Sequence, residues 1–131
     1  MALDHKRKEK LVVEACDGHW IRDERWDGET TATMGNELWL IEVKSEAMPR
    51  GLQALWSILD NAWAQLTERW EEHGRPGRRL VVYSPTGTGV DHSFAMWELD
   101  GLYAGVRITA PYRHWLMHYY RPRRGGDGEL D

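Results

Sequence analysis

Glu42 and Lys44 stand two residues apart in the run Leu38-Trp39-Leu40-Ile41-Glu42-Val43-Lys44. Read as a strand, this run puts Glu42 and Lys44 on one face and Trp39, Ile41 and Val43 on the other. Thr30 to Met34 reads as a partner strand, with Gly35-Asn36 as a two-residue hairpin turn between them. That register opposes Met34 to Glu37, Thr33 to Leu38, Thr31 to Leu40, Glu29 to Glu42 and Asp27 to Lys44. Three carboxylates and a lysine then meet. Carboxylates at that separation repel one another unless a divalent cation lies between them, and an oxygen-rich set suits Mg²⁺ or Mn²⁺. The plainer reading is a solvent-facing hairpin in which Asp27 and Glu29 pair with Lys44 and Arg25.

The elements that must position this cluster follow from periodicity. Asp4 is a candidate cap for a first helix running to about Ala15, which Asp17-Gly18 stops. His19 to Trp26 reads as a first strand, and the hairpin strands follow. After Pro49, Leu52, Trp56, Leu59, Trp63, Leu66 and Trp70 recur at spacings of 4, 3, 4, 3 and 4. This stripe predicts a helix of about 20 residues packed by that face on a sheet, with Pro49 before it and Gly74 after it as punctuation. Leu80 to Tyr83 is a short apolar run of the kind that forms a buried strand, and its place after a helix favours an α/β crossover. The expected fold is α/β: a small mixed sheet with an αβββαβ core and the long crossover helix packed on it.

At 131 residues, 41% hydrophobic and 29% charged, the chain suits one globular domain and not a disordered or fibrous one. We expect a domain over 1–124 and a flexible acidic tail over 125–131. No apolar run approaches the roughly 20 residues that span a bilayer, and the basic start lacks a following apolar segment, so no membrane association is expected. The single cysteine, Cys16, forms no internal disulfide, and a reducing cytoplasm is the default expectation. Charge is divided along the chain. Eight acids against three bases lie between Asp17 and Glu46, whereas Gly105 to Arg124 holds no acid and five arginines, Arg107, Arg113, Arg121, Arg123 and Arg124. An acidic, metal-holding centre flanked by a phosphate-touching surface has this pattern, and so does plain solvated charge.

On Asp27, Glu42 and Lys44 and on the order of elements from Met1 to Pro85, the chain resembles the PD-(D/E)xK nuclease superfamily, the restriction-endonuclease-like fold. In that family an acid on the second core strand meets an acid-x-Lys motif on the third. Asp27 matches the first acid, with Glu29 as the alternative, and Glu42 and Lys44 match the motif. The resemblance also implies that Glu14 or Glu9 supplies an extra acid from the first helix, and that Gln65 is the glutamine several branches carry on the crossover helix. What it implies functionally is hydrolysis of nucleic-acid phosphodiesters, DNA ahead of RNA, by a metal-activated water. Lys44 would stabilise charge at phosphorus and Gln65 would orient a strand or water. Arg75, Arg78, Arg79, Arg113, Arg121, Arg123 and Arg124 would bind phosphates without reading sequence.

Eight tryptophans in 131 residues support a rival expectation. Trp and Arg are enriched in binding hot spots, so a non-catalytic module for protein or nucleic acid, or a homodimer, formed through a Trp-rich surface is the alternative. Other motifs carry less. His114 and His118 share a helix face but lack an accompanying acid. Ser84-Pro85-Thr86-Gly87-Thr88-Gly89 lacks the Gly-Lys-Ser/Thr ending of a phosphate loop and reads as an ordinary loop. Asp91 and His92 have no serine partner, and Cys16 reads as an inert thiol.

Overall fold

The computed structural model describes residues 2–21 and 25–122, with side chains from Lys6 onward. At its centre two parallel strands, β3 (Trp39–Lys44) and β4 (Arg78–Tyr83), run in register from Trp39 opposite Arg78 to Lys44 opposite Tyr83. A parallel pair needs a long crossover. Helix α2 (Leu52–Glu72) supplies it. Ahead of β3 lie helix α1 (Ala2–Glu14) and the short strands β1 (His19–Trp20) and β2 (Gly28–Thr30). After β4 come β5 (Phe94–Glu98), β6 (Arg107–Pro111) and helix α3 (Tyr112–Tyr119). Among the described residues six strands form one mixed sheet in sequence order, antiparallel except for β3 and β4.

The sheet is covered on both faces, which is why β3 and β4 read as nearly continuous apolar runs. On one face, Trp39, Ile41, Val43, Leu80 and Val82 pack with Val12 and Val13 of α1 and with Trp115 and Tyr119 of α3. On the other, Leu40, Val81 and Tyr83 pack with Leu59, Trp63 and Leu66 of α2. Alternation therefore aims Glu42 and Lys44 at the α2 side, where they interrupt an apolar layer. Close approach of α1 requires Gly28: a Cβ there would lie 2.5 Å from a Val13 methyl. Among the described residues no helix is long and apolar enough to cross a membrane.

The fold carries several corrections. Of the expected first strand, His19 to Trp26, the described residues form strand at His19–Trp20, and residues 22–24 lie outside the described residues. The β2–β3 connection is wider than a two-residue turn, although Gly35 and Asn36 do adopt positive φ. Thr33 bridges Tyr120 after α3 instead of Leu38, and the observed register sets Thr30 against Trp39, Glu29 against Leu40 and Gly28 against Ile41. The pairing has slipped by two residues from the expected one. On α2, Leu59, Trp63 and Leu66 are buried as the stripe predicts, whereas Leu52 (71%) and Trp56 (45%) are exposed at its N-terminal end. Residues 125–131, the expected tail, lie outside the described residues.

The tryptophans build the core. Trp26, Trp39, Trp63, Trp97 and Trp115 are buried, Trp20 and Trp70 are partly so, and Trp56 is the exposed one. The Trp-rich surface expected from composition is thereby reduced to one side chain.

Candidate active site

Asp27 enters the site just before β2, where its own N–H donates to the Ile41 carbonyl at 3.0 Å. Its Oδ2 accepts the Val43 N–H at 2.7 Å, the amide between Glu42 and Lys44. A carboxylate bonded to that amide is bound to stand beside the side chains on either side of it. Glu42 is 4% exposed. Lys44 Nζ stands 3.9 Å from Glu42 Oε2 and donates to Gln65 Oε1 at 3.2 Å. Gln65 lies on α2, and Arg69, one helical turn on and on the same helix face, places a guanidinium nitrogen 3.6 Å from Glu42 Oε1. Asp27, Glu42, Lys44, Gln65 and Arg69 thus converge from three elements.

Electrostatics mark the pair of acids. Burial first, then the charges of Asp27 and of Glu9 on α1, raise the Glu42 carboxyl to about 7 against the opposing charges of Lys44 and Arg69. Burial also raises Asp27, opposed by the Val43 amide, Lys44 and Arg69. Two carboxyls held together against their preference for water are a mark of functional sites.

The remaining expected residues are distributed as follows. Glu29 is moved out of the cluster: it opposes Leu40, roughly 7 Å along the strand from Glu42 at about 3.3 Å per residue, and its Oε2 accepts the Trp26 indole N–H at 3.0 Å. Asp27 therefore takes the position that the sequence left open between the two. Glu14 is exposed at the end of α1, and the α1 acid whose charge bears on Glu42 is Glu9.

Arg78 and Arg79 lie toward the other end of the sheet, since Arg78 opposes Trp39, roughly 16 Å before Lys44. Arg78 pairs with Glu37 and Asp100 and covers the Trp39 ring, Arg79 pairs with Glu98 and covers Trp63 and Trp70, and Arg75 pairs with Glu71. The heads of Arg78 and Arg79 are engaged in these contacts away from Glu42 and Lys44, while Arg75 stays largely exposed. Arg113 is exposed on α3, Arg121 is tied near Ala32 by its backbone N–H, and Arg123 and Arg124 lie outside the described residues.

The basic side chains at the site's own end include Arg7 and Lys8, which belong in sequence to the basic start of the chain, Lys6, Arg7, Lys8 and Lys10. Ser84 N–H donates to the Lys44 carbonyl at 2.8 Å, and the next residue, Pro85, accepts from Lys8 Nζ at 3.2 Å. Lys8 also donates to the Thr88 carbonyl. Arg7 and Lys8 with the Gly87–Val90 loop line a cavity of about 230 Å³ there. Arg69 was legible in principle, four residues after Gln65 on the same helix face. His114 and His118 are exposed, and Cys16 is buried with its thiol pushed up to about 11 by that burial.

Among the described residues, two oxygens of this arrangement are left without a hydrogen bond and could serve a divalent cation as ligands. Glu42 Oε1 is buried without a hydrogen-bond partner, and Asp27 has its second oxygen beyond the one bonded to Val43. Among the described residues no group of three or more His, Cys, Asp or Glu is arranged to hold a metal. The donor set is two carboxylates, a number Mg²⁺ accepts when water and phosphate oxygens complete its shell. No family model matches the chain, and no curated protein or solved structure matches it significantly.

Proposed function

We propose that the chain is a metal-dependent nuclease of the PD-(D/E)xK kind, hydrolysing phosphodiester bonds of nucleic acid. The observation that carries this reading is the convergence of Asp27 and Glu42 with Lys44 at the end of β3, where two carboxylates are held together despite mutual repulsion. Such an arrangement has little structural merit, because burying two acids side by side costs stability that the neighbouring Lys44 and Arg69 offset only in part.

Asp27 and Glu42 would hold Mg²⁺ or Mn²⁺, whose chemistry is to polarise a phosphoryl oxygen and to acidify a coordinated water. Lys44 is kept at the site by its bond to Gln65, and its ammonium compensates the negative charge that gathers on the nonbridging oxygens as water adds to phosphorus. The bond broken is the phosphorus–oxygen bond to the leaving sugar, giving a phosphomonoester and a hydroxyl. Gln65 fixes the direction of Lys44 through a neutral acceptor that leaves the ammonium charge intact.

Incubation with linear, nicked, branched and single-stranded DNA and with structured RNA in Mg²⁺ or Mn²⁺ tests the reading. At least one substrate is cleaved, and Glu42→Ala and Lys44→Ala abolish cleavage with the fold retained. Mn²⁺ affinity falls mainly in Glu42→Ala, which loses a ligand, while Lys44→Ala loses charge stabilisation. Intact substrates together with no calorimetric Mn²⁺ binding by the wild type overturn it.

A further inference from the structure

Among the described residues Glu42 Oε1 has one charged neighbour within ion-pair distance, Arg69, and the contact is unusual in form. At 3.6 Å it is an ion pair without a hydrogen bond, although the oxygen is buried and has no other partner. Lys44 is anchored by Gln65. Arg69 has no such anchor: among the described residues its guanidinium has no hydrogen-bond partner, and its side chain is 38% exposed. Its cationic head therefore sits loosely against an oxygen that a divalent cation would need.

Charge counting gives this position a purpose. Asp27 and Glu42 are matched by Lys44 and Arg69, so the site is balanced without metal, and a divalent cation entering it competes with the nearer, less anchored of the two basic groups. The displaced guanidinium stays within a side chain's reach of the site and has free N–H donors in a planar fork, the geometry that takes a phosphate through two parallel hydrogen bonds.

We infer that Arg69 is an exchangeable counter-ion: it neutralises Glu42 while the site lacks metal, yields Oε1 when a divalent cation binds, and then turns to the substrate's phosphate. This rests on the nuclease reading, and it makes two predictions of opposite sign for one residue. Removing Arg69 strengthens metal binding and weakens nucleic-acid binding.

The experiment uses the full chain, with Mn²⁺ followed by calorimetry and a fluorescein-labelled single-stranded DNA oligonucleotide followed by anisotropy in Ca²⁺. Arg69→Gln is expected to bind Mn²⁺ up to about fivefold more tightly than wild type, the upper end of what removing a partly exposed ion pair releases. Oligonucleotide affinity should fall about tenfold with the loss of one charge-assisted contact. A purely structural Arg69 gives the reverse for the metal, because Arg69→Gln would unsettle Glu42 and weaken Mn²⁺. Mn²⁺ binding in Arg69→Gln no tighter than in wild type overturns the inference and leaves the nuclease reading standing. Mn²⁺ bound by neither protein overturns both. If Arg69→Gln does not fold, Arg69→Lys serves: a point charge keeps Mn²⁺ affinity near wild type while oligonucleotide binding drops, and unchanged oligonucleotide binding counts against the phosphate role.

Discussion

Asp27 Oδ2 takes the Val43 N–H at 2.7 Å, so the first carboxylate is fixed beside the second by the backbone of the strand that carries Glu42. Their repulsion is thus built into the fold and is not relieved by a change of side-chain rotamer at Glu42 alone.

Stability should record the burial of Glu42 and, with it, that repulsion. Glu42 titrates near 4.5 when unfolded and near 7 when folded, so the native state holds the proton more tightly and stability falls as pH rises through that window. The penalty is absent below the unfolded value and complete above the folded one; at about 1.4 kcal/mol per unit it is on the order of 3 kcal/mol. Urea midpoints at pH 5 and pH 8 check this. Wild type should lose stability between the two, and Glu42→Gln should lose much less and exceed wild type at pH 8. Equal pH profiles for the two proteins would contradict the buried-repulsion account.

How much of this was legible in the chain depends on which contacts are local. Strand alternation placed Glu42 and Lys44 together correctly, and the heptad stripe located α2. The register slipped by two because Thr33 finds its partner in Tyr120, 87 residues away, a tertiary contact that no turn signal near Gly35 reveals. A slip of two preserves the face of every side chain, since the pleat repeats every two residues. The slip leaves Asp27 bonded to the Val43 amide beside Glu42 and carries Glu29 two residues along the same strand, opposite Leu40. The contacts of the arginines were hidden for a different reason. Arg78 and Arg79 look exposed at a strand start, but their use depends on Glu37, Glu98, Asp100 and the Trp39 and Trp63 rings, all supplied by other elements.

The stripe on α2 divides into two halves with different consequences. Trp63 is buried under the guanidinium groups of Arg79 at 4.5 Å and Arg107 at 5.5 Å, so Trp63→Ala should cost about 3 to 5 kcal/mol. Trp56, nearly half exposed, should cost less than about 1 kcal/mol when truncated. Chemical denaturation of both variants checks the contrast. A Trp56→Ala loss as large as that of Trp63→Ala would mean that the exposed end is covered in solution.

Under the proposed function, the phosphate contacts beyond the cleavage point belong to the sheet end that holds Lys44, and the exposed cation there is Arg7, beside Lys8 and the Gly87–Val90 loop. Lys8 is already committed to the Pro85 and Thr88 carbonyls, so its replacement would disturb the loop as well as the charge. Arg7 gives the cleaner variant. Each phosphate contact contributes about 0.9 to the slope of log affinity against log salt on duplex DNA and about 0.7 on a single strand. Arg7→Glu should therefore weaken oligonucleotide binding in Ca²⁺ and lower that slope by about one, across sequences alike. Arg113→Glu changes charge equally but lies on α3, which follows the edge strand β6, three strands from β3, and should leave both quantities near wild type. If the two reversals weaken binding to the same extent, the affinity follows total charge, and the cavity beside Lys8 is not where the strand runs.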